Sequence, residues 1–138
     1  MGLVLDSTVF ISGERLGLSV TELLESLRST LRNQEICIAA MTAAELVHGI
    51  WRAGKPEIRV RREDFFEELF ARVPVQPMTL RIAKLVGRID AETPVRGATI
   101  PTADLIIGAT AVDLGFAVAT ANLRHYRLIP GLEVRLLA

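Results

Sequence analysis

Apolar residues along the chain follow two rhythms. Short runs, "LVL" at 3–5, "ICIA" at 36–39, "VPVQP" at 73–77, "FAVAT" at 116–120 and "EVRLL" at 133–137, alternate with longer segments in which apolar side chains return every three or four residues. Val20, Leu23, Leu24, Leu27 and Leu31 make one such stripe, and Ile82, Leu85, Val86 and Ile89 another. The short runs have the length of strands buried on both faces, and the stripes are those of helices that pack on one side. Their alternation predicts an α/β domain with a parallel sheet between two helical layers. Pro74 and Pro77 offer no amide proton to a ladder, which places the third run at a sheet edge.

End signals divide the helices. "SVTE" at 19–22 and "TAAE" at 42–45 both match the S/T-x-x-E capping box, which predicts helices over 19–33 and from Thr42 to about residue 53. Pro56 suits the first position of a helix through Arg72, Thr79 suits the cap of the next, and Gly115 suits a left-handed helix end. "PTADLIIGATA" at 101–111 opens another helix, with Thr102 as its expected N-cap and Asp104 in its first turn. The segment "TPVRGATIP" at 93–101 is a loop between two helices.

At 138 residues and 50% hydrophobic content, one domain spanning 1–138 is expected, with no repeat or linker. Sixteen basic and sixteen acidic residues cancel, so a nucleic-acid surface would have to be a local patch. The single cysteine, Cys37, lies in an apolar run and reads as a buried structural thiol. No run approaches the length of a membrane span, and the N-terminus has no basic leader, so a cytoplasmic protein is expected.

In an open parallel sheet, ligands bind beyond the carboxyl ends of the strands. Asp6 directly follows the first strand, Thr120 and Asn122 follow the fourth, and Glu45 is expected in the first turn of the helix after the second. The loop at 93–101 allows the N-terminus of the last helix, with Asp104, to return to the same end. Each residue has a simpler use: Asp6 as a helix cap, Glu45 as half a capping box, Asp104 as a charge at a helix N-terminus, Thr120 and Asn122 as turn residues. His48 reads as a surface residue and His125 as a loop residue near the mouth. Trp51, Phe65, Phe66 and Phe70 read as core or interface.

If the three acids converge, each like-charge pair costs on the order of 4 kcal/mol at about 4 Å and an effective dielectric near 20, a penalty that a divalent cation removes. Oxygen donors favour Mg²⁺ or Mn²⁺ over Zn²⁺, and no Cys/His set has zinc spacing. Metal-assisted phosphodiester hydrolysis suits such a site, the ion activating a water and stabilising charge on phosphoryl oxygens.

Four stretches in order, "LVLDSTVFI", "TAAELVHGI", "GATIPTADLIIGATA" and "VATANLRHYRLIPGLEV", resemble the PIN-domain ribonucleases, specifically the VapC-type toxins of toxin–antitoxin pairs. The resemblance covers nearly the whole chain. It implies a PIN-like three-layer fold with a central parallel sheet in strand order 3-2-1-4-5. It also implies a Mg²⁺- or Mn²⁺-dependent endoribonuclease that cleaves tRNA or rRNA, is held inactive by a small VapB-type antitoxin, and forms a homodimer. Carried over by position, Asp6, Glu45 and Asp104 match the acids of the family, with Asp6 and Asp104 on the metal. Asn122 stands where many members have a fourth Asp, a departure that removes one charge. Thr8 matches a hydroxyl position after the first acid, Thr120 and Arg124 match rim residues on the substrate side, and Arg96, Arg124 and Arg127 are candidates for substrate phosphate.

The antitoxin is expected to cross the helices of residues 19–33 and 42–53 and to reach the acids with an Arg. Two other readings compete. A phosphatase of the haloacid dehalogenase type also places an Asp after the first strand, but expects a second Asp where Thr8 stands. A catalytically weak PIN module that binds RNA or a protein partner is the alternative that Asn122 leaves open.

Overall fold

The computed structural model describes residues 1–93 and 99–137. Five parallel strands, β1 (Gly2–Leu5), β2 (Glu35–Ala39), β3 (Val75–Gln76), β4 (Ala117–Thr120) and β5 (Val134–Leu136), form one sheet in the order β3-β2-β1-β4-β5. This is the order that the resemblance implies. β3 stands at the edge, where the carbonyl of Pro74 still accepts the Ile38 amide while the proline nitrogens have none to give.

Alternation along the strands sends side chains to two cores. Leu3, Leu5, Ile38, Ala117 and Ala119 face one side, where they meet α1 (Ser7–Arg15), α2 (Val20–Thr30), α3 (Ala40–Trp51) and α4 (Pro56–Arg72). Val4, Cys37, Ala39 and Val118 face the other, beneath α5 (Leu80–Glu92) and α6 (Thr102–Leu114). Both faces are covered, which explains strands that are apolar without interruption. Cys37 is buried in the second core, as its apolar run predicts.

Several helix ends form as the sequence predicts. Ser19 and Glu22 make the reciprocal capping box, Thr79 caps α5 through the Ile82 amide, Pro56 stands at the start of α4, and Gly115 ends α6 at φ +70°. α2 ends at Thr30, and Arg32 and Asn33 turn the chain with positive φ.

Two expected caps do not form. β2 passes directly into α3 with Ala39 at the cap position, so Thr42 lies inside the helix and Glu45 falls in its second turn rather than its first. The "TAAE" capping box is therefore absent, and the buried Thr42 hydroxyl has no partner. At α6 the cap position belongs to Pro101, whose carbonyl accepts the Leu105 amide, so the helix starts one residue earlier than a Thr102 cap requires. No helix among the described residues is long and apolar enough to cross a membrane.

Candidate active site

The carboxyl end of β1 delivers Asp6, whose amide continues the ladder to the Ala119 carbonyl. Asp6 is the N-cap of α1, its Oδ1 accepting the Thr8 amide at 3.1 Å and the Thr8 hydroxyl as well. Its Oδ2 accepts the Thr120 hydroxyl at 2.6 Å. Capping and site roles thus fall on the same carboxylate.

The two threonines are used in the same way. Each has one hydroxyl proton, and a charged oxygen is its strongest acceptor, so each donates to Asp6. Each hydroxyl oxygen then accepts a backbone amide from the loop after β4: Ala121 on Thr8 at 3.0 Å and Asn122 on Thr120 at 3.0 Å. Two parallel relays tie that loop to the end of β1. Thr120, expected at the rim, is completely buried.

Asp104 arrives from the first turn of α6. Its Oδ2 lies 2.8 Å from His125 Nδ1 and its Oδ1 accepts the Tyr126 hydroxyl at 3.4 Å. A carboxylate only accepts, so Nδ1 carries the proton. His125, read from sequence as a loop residue at the mouth, is a direct partner of an acid. It precedes a 3₁₀ turn, Tyr126–Leu128, that inserts the tyrosine into the core.

Glu45 completes the group. Freed from a capping role, it is half-buried on α3, with Oε1 enclosed and lacking a hydrogen-bond partner among the described residues. Burial raises its pKa, the Ser7 hydroxyl opposes that rise, and the charges of Asp104 and Asp6 add to it. Asp6 is also raised, by burial above all, with the hydroxyls of Thr120, Thr8 and Tyr126 pulling in the other direction. The three acids therefore share one electrostatic neighbourhood at the carboxyl end of the sheet.

Among the described residues, no group of three His, Cys, Asp or Glu side chains is already drawn together as a metal cage. The donors nevertheless suit a hard cation. They are carboxylate oxygens, they repel one another, and one buried oxygen of Glu45 is unsatisfied.

Other expected residues take different places. Asn122 is exposed, and its Oδ1 accepts the Arg124 amide at 3.1 Å, an Asx turn on the lip of the site. Arg124, Arg127 and His48 are exposed. Arg96 lies outside the described residues. Trp51 is 63% exposed, with Arg59 stacked 5.1 Å from its ring, while Phe66 is buried. Sequence reasoning missed the part played by Tyr126. Its signal was a lone hydroxyl-bearing aromatic two residues beyond Arg124, next to a histidine.

The PIN domain family matches residues 3–129. The chain is 30% identical over 107 residues to the tRNA(fMet)-specific endonuclease VapC of Salmonella typhimurium, covering 78% of this chain and 79% of that one. It is 26% identical over 134 residues to Ribonuclease VapC1 of Rickettsia felis, covering 97% and 95%. Among solved structures, VapBC2 from Rickettsia felis bound to a promoter DNA fragment superposes with a TM-score of 0.84 at 18% identity, over 100% of both chains. DNA-bound VapBC from Salmonella typhimurium superposes with a TM-score of 0.80 at 24% identity, over 98% and 97%. The structural likeness is one of fold, and the family rests on the sequence match. With residues 3–129 matched and two relatives aligned over most of their length, the chain belongs to the PIN-domain family, among the VapC-type ribonucleases.

Proposed function

We propose that the chain is a Mg²⁺-dependent endoribonuclease, Mn²⁺ serving in its place, and the toxin of a VapBC-type pair. The observation that carries this reading is that Asp104 and Asp6, from separate elements, both act electrostatically on Glu45 at the carboxyl end of the sheet, where a buried Glu45 oxygen has no hydrogen-bond partner among the described residues. Asp6 and Asp104 are the residues that would hold the ion, with Glu45 reaching it partly through water. When bound, the ion makes a coordinated water more acidic and stabilises negative charge on phosphoryl oxygens.

The chain's own residues supply the rest. Thr8 and Thr120 saturate Asp6 with hydroxyl donors and fix its orientation. His125 holds Asp104 through its Oδ2. Glu45, whose raised proton affinity suits a general base, accepts the proton of the attacking water. Arg124, which is exposed, would contact substrate phosphate. Water rather than the ribose 2′-hydroxyl attacks, so the products carry 5′-phosphate and 3′-hydroxyl ends.

The relatives' names point to RNA as the substrate class, tRNA in the case of the Salmonella typhimurium protein, and the proposed substrate is tRNA or rRNA. The partner is a small VapB-type antitoxin. It would occupy the apolar groove of about 350 Å³ between α1, α2 and the end of β5, lined by Val9, Leu16, Leu23, Leu27 and Leu136. Ala121, which lines this groove, donates its amide to Thr8, the residue that holds Asp6. An antitoxin Arg there would pair with the carboxylates in place of the cation.

The deciding experiment is incubation of RNA with the protein and Mg²⁺, followed by analysis of the new ends. Metal-dependent cleavage leaving 5′-phosphates supports the proposal. Cyclic 2′,3′-phosphate ends, or binding without cleavage, overturn it.

A further inference from the structure

The Tyr126 hydroxyl is a polar group that the reaction above does not use. The ring is buried, 1% exposed, among Val4, Ile107, Val118 and Ile129 in the core beneath α6. A phenol at that depth needs a partner for its hydroxyl. It donates to Asp104 Oδ1 at 3.4 Å, and it lies close enough to Asp6 to lower the proton affinity of that carboxylate.

Such a group has a specific use. Asp6 and Asp104 are 98 positions apart in sequence and come from different elements, so nothing local sets their separation. A neutral donor on Asp104 fixes that carboxylate while adding no charge that would compete with a cation. Phenylalanine would fill the same core volume and leave Asp104 Oδ1 without this donor.

We infer that Tyr126 is a positioning residue of the metal site, its hydroxyl donating to Asp104 Oδ1 and setting how that carboxylate is presented to a divalent cation beside Asp6. This rests on the reading that these two acids hold the ion. Tyr126 itself touches neither the ion nor the RNA.

The chain has one tyrosine, so its near-ultraviolet absorption reports on this position alone among tyrosines. Two measurements on RNA-free protein test the inference. The first is Mn²⁺ affinity by electron paramagnetic resonance for the wild type, Tyr126→Phe and Asp104→Asn. The second is the tyrosine difference spectrum of the wild type on adding Mg²⁺, with Tyr126→Phe as the reference that removes any contribution from Trp51.

The expected result is Mn²⁺ binding about tenfold weaker in folded Tyr126→Phe, the size typical for loss of a group that orients a metal ligand. Binding is lost in Asp104→Asn, and Mg²⁺ produces a tyrosine difference band in the wild type. Unchanged affinity in Tyr126→Phe, with Asp104→Asn defective, overturns the positioning role and leaves the metal site standing. Equal binding by wild type and Asp104→Asn overturns the metal site and this inference with it. If Tyr126→Phe fails to fold, the wild-type spectrum decides: a band supports the contact of Tyr126 with Asp104, and a flat response to a bound ion removes the positioning role.

Discussion

The Thr120 hydroxyl stands 2.6 Å from Asp6 Oδ2, joining the end of β4 to the end of β1 across 114 positions of sequence. The same oxygen accepts the Asn122 amide, so one buried side chain orients the carboxylate and the loop that carries Arg124 and His125. Thr120→Val keeps the shape and removes the hydroxyl. It leaves a buried acid oxygen and a backbone amide without their partner, a loss of about 1–3 kcal/mol. Cleavage should fall with it, and Thr120→Ser should restore both, as read by thermal melting and RNA cleavage. A Val variant as stable and active as the Ser variant would remove Thr120 from the site.

Asp6→Asn and Asp104→Asn should each lower cleavage at least about a hundredfold, as expected when a metal ligand is lost. The fold should survive. Burial already disfavours a charged Asp6, and its Thr120 donor has a second acceptor 3.1 Å away in the Asn122 carbonyl. Without added metal, Asp6→Asn should melt no lower than the wild type. Wild-type cleavage by both variants at saturating Mg²⁺ would show that other groups hold the ion.

Asn122 tests whether the lip takes part in the metal site. Asn122→Asp keeps the acceptor for the Arg124 amide, so the turn persists, and it adds a fourth negative charge on the side of the acids. Half-maximal cleavage should then need less Mg²⁺. Because the position is exposed, the metal-free protein should lose little stability, the repulsion being screened by solvent and salt. Asn122→Ala loses the turn bond, about 0.5–1.5 kcal/mol, and should weaken activity only moderately. Identical Mg²⁺ titrations for all three proteins would confine Asn122 to its turn.

Cys37 offers a test of the second core. Burial, with a smaller effect from the Glu35 charge, pushes its thiol up to about 11. An unfolded cysteine ionises near ~8.5. Between those values the unfolded chain releases a proton that the folded one keeps, so stability falls as pH rises through this window and the contribution is absent below it. At pH 8 the native thiol should react with a disulfide reagent only as fast as the protein opens, and denaturant should release one rapid equivalent. Fast reaction of the native protein would show that the packing beneath α6 is open.

Periodicity and end signals by themselves determined the elements. Runs buried on both faces made strands, three- and four-residue stripes made helices, and Ser19, Pro56, Thr79 and Gly115 marked ends where the sequence placed them, because each of those effects acts within one turn of chain. The two failed caps mark the limit of that reasoning: whether Thr42 or Thr102 caps a helix depends on how directly the preceding segment enters it. Strand order was legible only through the family resemblance, since spacing of apolar residues says nothing about which strand lies beside which.

Three acids could be picked out from their positions after strands and at a helix start, but each had an adequate local use. Tertiary structure alone released Glu45 from a cap, gave Asp6 its partners Thr8 and Thr120, and gave Asp104 its partners His125 and Tyr126. Those contacts join the ends of β1 and β4 with the start of α6. They depend on the direction of side chains held by the packing of a sheet between two helical layers, a relation that no short window of sequence contains.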